Sequence, residues 1–284
     1  LVFISPGVAY FLIFWILPVI LTAVQSLWRW DIGRPSRFIG TDNYTSLLTD
    51  PFFVSAVRAS LGISLGVVVV GFFTAFILAW ILSDETLRAG RLFRIIIFLP
   101  VVTDWVATGL VWQFIFLPNQ GVLAGVLYNL GLRDWMGLRW VSTRDLAPIA
   151  IIVFILWKTT GLYTVILLAG LKSVPRTLME AARADGANEW QVLINIVLPL
   201  LKPIIVFVIV VSFVTTIGLF EPVFMLTGGG PADATKTLPI FIHEQFFVYL
   251  KGGYASAAGI LFLLLCLLFA VVASRQLRQN AYEE

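Results

Sequence analysis

Charge is scarce in this chain, and histidine and cysteine are almost missing. Of 284 residues, 12% are Asp, Glu, Lys or Arg, one is His and one is Cys. A soluble domain carries about a quarter charged residues, so water is not the solvent that meets most of this surface. The single cysteine, Cys266, lies inside the last apolar run, which excludes an intrachain disulfide and a cysteine-built metal cluster and leaves it as a small apolar filler. With His243 the only imidazole, and that in a loop, a base for an intramembrane hydrolase or transferase is also missing. A phosphate-binding loop is absent too. The run Gly228-Gly229-Gly230 has the composition of a phosphate cradle, but no Gly-Lys-Thr follows it, and Lys236-Thr237 is preceded by Thr235. No catalytic group, metal or cofactor is therefore expected in this chain.

What is present is hydrocarbon. Sixty per cent of the residues are hydrophobic, the mean hydropathy is +0.96, and the apolar residues come in runs of about 20, enough to cross a ~30 Å hydrocarbon core as helix. A β-barrel would show two-residue alternation, whereas 67–81 and 260–273 are apolar on every face. The expectation is an all-α integral membrane bundle of six spans near 2–27, 55–82, 95–117, 147–171, 203–222 and 253–274, with no internal repeat and no hydrophilic domain, hence one membrane domain over 1–284. The first run lacks a basic leader and a cleavage site and reads as a retained helix. Because Leu1 already opens it, a more polar tail is expected to precede it in the native protein.

Net charge is +3, but the basic residues are spread over every loop rather than gathered on one face, which argues against a nucleic-acid partner. They bear instead on orientation. The loops 84–94 and 172–202 with the tail 275–284 hold nine Lys and Arg, against eight in the longer loops 28–51, 118–146 and 223–252. By density the first set, and with it the C-terminus, is cytoplasmic.

The loop 172–202 holds the most informative pattern. It reads Glu180-Ala181-Ala182-Arg183-Ala184-Asp185-Gly186, then nine residues, then Ile196-Val197-Leu198-Pro199. Ala, Glu and Arg favour a short helix, Gly186 permits a sharp bend, and Trp190 to Val197 reads as a second amphipathic turn that Pro199 ends. Two short helices meeting at a glycine make a compact knob, a shape suited to a groove on a partner protein.

That spacing resembles the cytoplasmic loop of the permease subunits of binding-protein-dependent ABC importers. Further stretches resemble the sugar and glycerol-phosphate branch of that family, the maltose-type uptake systems: Leu168-Ala169-Gly170-Leu171 with Ser173-Val174-Pro175, Leu226-Thr227-Gly228-Gly229-Gly230-Pro231, Phe98-Leu99-Pro100, and Gly109-Leu110-Val111-Trp112. The resemblance implies a bacterial or archaeal plasma (inner) membrane protein that moves a sugar, polyol or glycerol-phosphate ester inward by alternating access. It implies as partners a homologous second permease, two copies of an ATPase subunit that bind ATP and Mg, and an extracytoplasmic solute-binding protein. It assigns Glu180, Ala181, Ala182, Asp185 and Gly186 to the coupling helix that docks into the ATPase. An ion-coupled secondary transporter would share the hydropathy but not this loop.

Polar side chains inside the spans are the candidates for a solute path, since each costs about 2.5 kcal/mol or more in lipid and so faces a cavity or a partner. Lys158, Thr159, Thr160 and Tyr163 are spaced to share one side of a helix, and hydroxyls beside an aromatic ring suit a carbohydrate. The alternative is that Lys158 pairs with a carboxylate inside the bundle and the threonines bond to backbone. Asp104 and Trp105, a third of the way into the third span, serve solute choice or, for Asp104, pair with Lys158. Glu221 reads as interfacial and His243 as solvated or packed.

Overall fold

The computed structural model describes residues 4–84 and 90–279. Among these residues it is an all-α bundle with five helices long and apolar enough to cross a membrane, or six when a bent pair is counted as one span. The straight spans are α1 (Ser5–Gln25), α3 (Pro51–Ser83), α7 (Ala147–Ser173), α9 (Glu189–Ile217) and the apolar part of α12 (Gly252–Gln279). The bent pair is α4 (Gly90–Val102) and α5 (Trp105–Ile115), which meet at 104°. The shorter elements are β1 (Trp28–Arg29), paired antiparallel with β2 (Arg37–Phe38), then α2 (Asp42–Thr49), α6 (Val122–Asn129), α8 (Arg176–Ala184), α10 (Glu221–Leu226) and α11 (Leu238–Val248).

Helix α7 is the hub. Half of its apolar window is buried, while no residue of α1's is. Its chief neighbour is α3, whose inward face is built from small residues about a turn apart: Ala56, Ser60, Ser64, Gly71, Ala75 and Ala79. In lipid, apolar side chains gain little by leaving hydrocarbon, so helices associate through close backbone approach and dispersion, and small residues permit it. A Cβ on Gly66 would lie 2.7 Å from Ile152 Cδ1, and one on Gly170 would lie 2.6 Å from Ile204 Cδ1. At the start of α3, Asp50 caps the helix by accepting from Phe52 N at 2.8 Å, and its other oxygen accepts from Tyr254 Oη at 2.8 Å, which ties α12 to the same end. The β1 edge closes that end, with Gly253 N donating to Trp30 O at 2.9 Å.

Three departures from the expected spans have physical causes. The third span is not one helix: Pro100 and the extended residues Thr103 and Asp104 break the hydrogen-bond ladder, and the chain turns. The fifth starts at Glu189 rather than near residue 203 and ends at Ile217. Pro199 does not stop it, because the turn Leu193–Val197 widens to i→i+5 bonding just ahead and the proline enters as the second residue of the helical stretch that opens at Leu198. Glu221 and Pro222, expected at the end of that span, instead open α10. The sixth helix runs on through Gln279 where a tail was expected, and the rest of that tail, 280–284, lies outside the described residues, as does the 85–89 part of the short charged turn 84–94.

Candidate functional site

The loop after α7 folds as two helices locked head to tail. Pro175 starts α8, and Met179 and Ala182, three residues apart, turn toward the bundle, where with Ala187 they pack on Leu82, Leu171, Val174 and Val197. Glu180, Ala181, Asp185 and Gly186 are exposed on the other side, so four of the five expected coupling residues face outward and Ala182 anchors the knob. At the helix end Gly186 adopts φ +88°. Its N–H donates to Arg183 O at 3.0 Å and the next, Ala187 N–H, donates to Ala182 O at 2.9 Å. This paired closure satisfies carbonyls that a helix end leaves open, and it needs a left-handed residue at 186.

The following helix is capped by a device that the composition-based reading passed over. Asn188 Oδ1 accepts from Gln191 N at 2.9 Å, and Gln191 Oε1 accepts from Asn188 N at 2.8 Å. The signal was legible as Asn-Glu-Trp-Gln, a capping residue followed three later by glutamine. Arg183 and Glu189 then staple the two helices through a two-pronged ion pair at 2.7 and 3.1 Å. The hydrogen bond from Arg183, reinforced by its charge, holds the Glu189 carboxyl below its ordinary value, and Glu189 raises the guanidinium in turn. Both side chains are solvated, so the pair sets geometry more than stability.

The second constellation sits where α4 meets α5. Lys158, 3% exposed, reaches from the middle of α7 into the break and donates to Pro100 O at 3.0 Å, to Thr103 Oγ1 at 2.9 Å and to Thr103 O. Its ammonium lies 4.9 Å from the centre of the Trp105 ring. The cation therefore satisfies carbonyls that the broken helix leaves open, and the partial negative charge of a helix C-terminus offsets its own burial. Asp104, exposed, caps the other half-helix: Oδ1 accepts from Ala107 N at 2.9 Å. So Lys158 and Asp104 do not join as an ion pair; each caps one side of the same break. Gly161 lets α4 press on α7, for a Cβ there would lie 2.0 Å from Ile97 O.

The hydroxyls near Lys158 are turned to backbone. Thr159 Oγ1 donates to Ile155 O at 2.8 Å and Thr160 Oγ1 to Leu156 O at 2.6 Å. Tyr163 is 2% exposed and hydrogen bonded to Ser212. Only Asp104, Trp105 and Thr160 of the six keep appreciable surface. Gln113 Nε2 donates to Met225 O, tying α5 to α10. At the opposite end from the knob, Lys236 bridges Asp233 at 2.6 Å and Glu244 at 2.9 Å. Burial opposes its charge, but the two carboxylates outweigh burial and raise the ammonium above its usual value. His243 packs among Phe220, Phe224 and Phe247, a ring cluster on α10 and α11. Among the described residues no group of three or more His, Cys, Asp or Glu is placed to hold a metal ion.

A family model described as the inner membrane component of binding-protein-dependent transport systems matches residues 68–279. The sulfoquinovosyl glycerol transport system permease of Agrobacterium fabrum is 33% identical over 87% of this chain and 79% of its own length. The lactose transport system permease of Rhizobium radiobacter is 31% identical over 93% and 88%. Among solved structures, a chain of a bacterial alginate ABC transporter in complex with alginate pentasaccharide-bound periplasmic protein superposes with a TM-score of 0.85 at 22% identity, covering 99% of this chain and 94% of that one.

Proposed function

The chain belongs to the family of binding-protein-dependent transport system inner membrane components, and from that premise we propose that it is the permease half of an ATP-driven importer for a sugar-like solute. The observation that carries the reading is the knob at the head of α9: a capped, stapled pair of helices that exposes Glu180, Ala181, Asp185 and Gly186 and anchors Ala182. Such a knob suits a cleft on an ATPase subunit that binds ATP and Mg. The proposed complex has this chain beside a homologous second permease, two ATPase copies under the knobs and an extracytoplasmic solute-binding protein at the other end, in a bacterial or archaeal plasma membrane with the C-terminus cytoplasmic. The whole of 1–284 acts as one membrane domain.

In this reading the ATPases close on ATP, carry both knobs inward and open the path outward; hydrolysis resets it. The solute is placed in the sugar class, as a di- or oligosaccharide, polyol or glycerol-phosphate ester, on the strength of the named transport roles of relatives at about a third identity. The path is proposed to run past the α4–α5 break, with Asp104 and the Trp105 ring meeting the solute and Lys158, Thr159, Thr160 and Tyr163 shaping the wall behind them. Reconstitution tests this. Proteoliposomes holding the complex and its binding protein should take up labelled oligosaccharide only with ATP enclosed. Uptake that persists without ATP and collapses when ion gradients are dissipated would overturn it.

A further inference from the structure

Two cavities lie beside the knob, one with basic side chains in its lining and one largely apolar. The first, about 370 Å³, lies between the ends of α3 and α7 and the start of α8; Lys172, Arg176 and Arg183 line it, and no carboxylate is among its lining residues. The second, about 490 Å³, is a largely apolar groove running from Phe72 to Ile81 on α3 and flanked by Trp190, Leu193 and Leu198 of α9; its one charged lining residue, Glu189, is the partner of Arg183. Trp80 is a wall of both. At 1.5 Å per residue the groove extends about 14 Å along α3, close to one leaflet's share of a ~30 Å hydrocarbon core. Its polar end coincides with the ends of the spans at Ser83 and Ser173, where a tryptophan at headgroup level is expected.

We propose that these two neighbouring cavities together bind one anionic phospholipid, with the phosphate among the basic side chains and an acyl chain along the α3–α9 groove. Lys172 is exposed and offers three donors at the C-terminal turn of α7. Arg183 uses Nε and Nη2 on Glu189, which leaves its Nη1 donors for a phosphate oxygen. A free phosphate leaves the groove empty, and in a zwitterionic headgroup the cation offsets the attraction of its phosphate to this lining, so a lipid of net negative charge is favoured over both. The site touches α8 at Arg176, Met179 and Arg183, a face roughly opposite Asp185 and a turn away from Glu180, so an occupant braces the knob while leaving Asp185 and Gly186 uncovered. The inference requires only the membrane fold; the assignment of the knob's partner is separate from it.

The test is lipid retention by the purified complex in mixed nanodiscs of phosphatidylglycerol and phosphatidylcholine, read by native mass spectrometry after detergent transfer. One phosphatidylglycerol should remain in preference to phosphatidylcholine. Lys172→Gln should lower that retention about fivefold, the effect of removing one basic side chain near a headgroup, and Phe73→Ala should weaken retention of either lipid. Equal retention of both lipids in the parent, or unchanged phosphatidylglycerol retention in Lys172→Gln, overturns the proposal. So does efficient crosslinking of a cysteine at position 77 to the second permease, which would mean that protein fills the groove. Both variants alter exposed positions, so failure of folding is readily separated by recovery of the intact complex.

Discussion

Replacing Gly186 separates backbone strain from contact, because a Cβ there meets no atom within 4 Å while φ stands at +88°. Within this chain any effect of a substitution is therefore conformational, and asparagine, close to valine in size, controls for contact with the ATPase. An L-residue in the left-handed region costs about 1 to 2 kcal/mol, and a β-branched one toward about 3 kcal/mol, while asparagine tolerates the region best among non-glycine residues. The chain has one escape, which is to leave that region, and this forfeits the bonds from Gly186 N–H to Arg183 O and from Ala187 N–H to Ala182 O. Each is worth about 0.5 to 1.5 kcal/mol, so neither route is cheap. If docking selects the closed knob, apparent affinity for the ATPase falls by the fraction that stays closed. At about 1.4 kcal/mol per tenfold, Gly186→Ala should weaken ATPase association up to about tenfold and Gly186→Val up to about a hundredfold, with Gly186→Asn near the parent. The assay is titration of purified ATPase against permease complex in nanodiscs, with solute-stimulated hydrolysis as a second readout. The order Asn, Ala, Val is the point. Parent-like behaviour of Val, or equal damage by Asn and Val, would refute the reasoning.

Four further outcomes are expected. Lys158→Met should leave Thr103 O without its donor, though Pro100 O keeps Thr103 N–H and Oγ1, and destabilise the α4–α5 break, lowering the thermal midpoint and uptake together; an unchanged midpoint would remove Lys158 from the capping role. Gly161→Ala should be worse than Gly7→Ala, which meets open space, because the added methyl must displace Ile97 backbone; equal expression and melting of the two would contradict the close approach. Glu189 contributes through a depressed carboxyl, so the stapling of α8 to α9 should be complete at neutral pH and be lost as pH falls below the ordinary glutamate range, a loss that Glu189→Gln should abolish when loop proteolysis is followed against pH. Asn188→Cys should react with an impermeant maleimide only after cells are opened, and labelling of intact cells would invert the proposed orientation.

Much of this architecture is legible in composition, because hydrocarbon permits few backbone solutions. Six apolar runs, their helical character and the compact loop at Gly186 all follow from the residues. The failures share one cause. Proline was read as a stop at 199, where a widened turn admits it, and as compatible with one straight span at 100, where it helps break the helix. Local sequence names the proline but not the neighbour that satisfies the groups it frees. At 100–103 that neighbour is Lys158, 58 positions along the chain from Pro100, a partnership no local pattern encodes. The same holds for the threonines, whose hydroxyls fit a solute or a backbone carbonyl equally well on paper, and for Asp104, whose carboxylate finds an amide three residues away rather than the lysine.

The continuity of α9 from the knob to the opposite end of the bundle has a consequence for insertions. Over its 29 residues, at 1.5 Å each, it is a rod about 44 Å long. A single residue added near Lys202 leaves hydropathy and length almost untouched, yet turns everything beyond it by about 100° relative to the knob. Phe213, stacked 3.7 Å from Phe269, and Ser212, bonded to Tyr163, would both face away from their partners. Four added residues, by contrast, return the phase to within about 40°. The phase of this one helix thus acts as a gear setting between the two ends of the protein, and changes in loop length on either side of it are free only where they do not alter that phase.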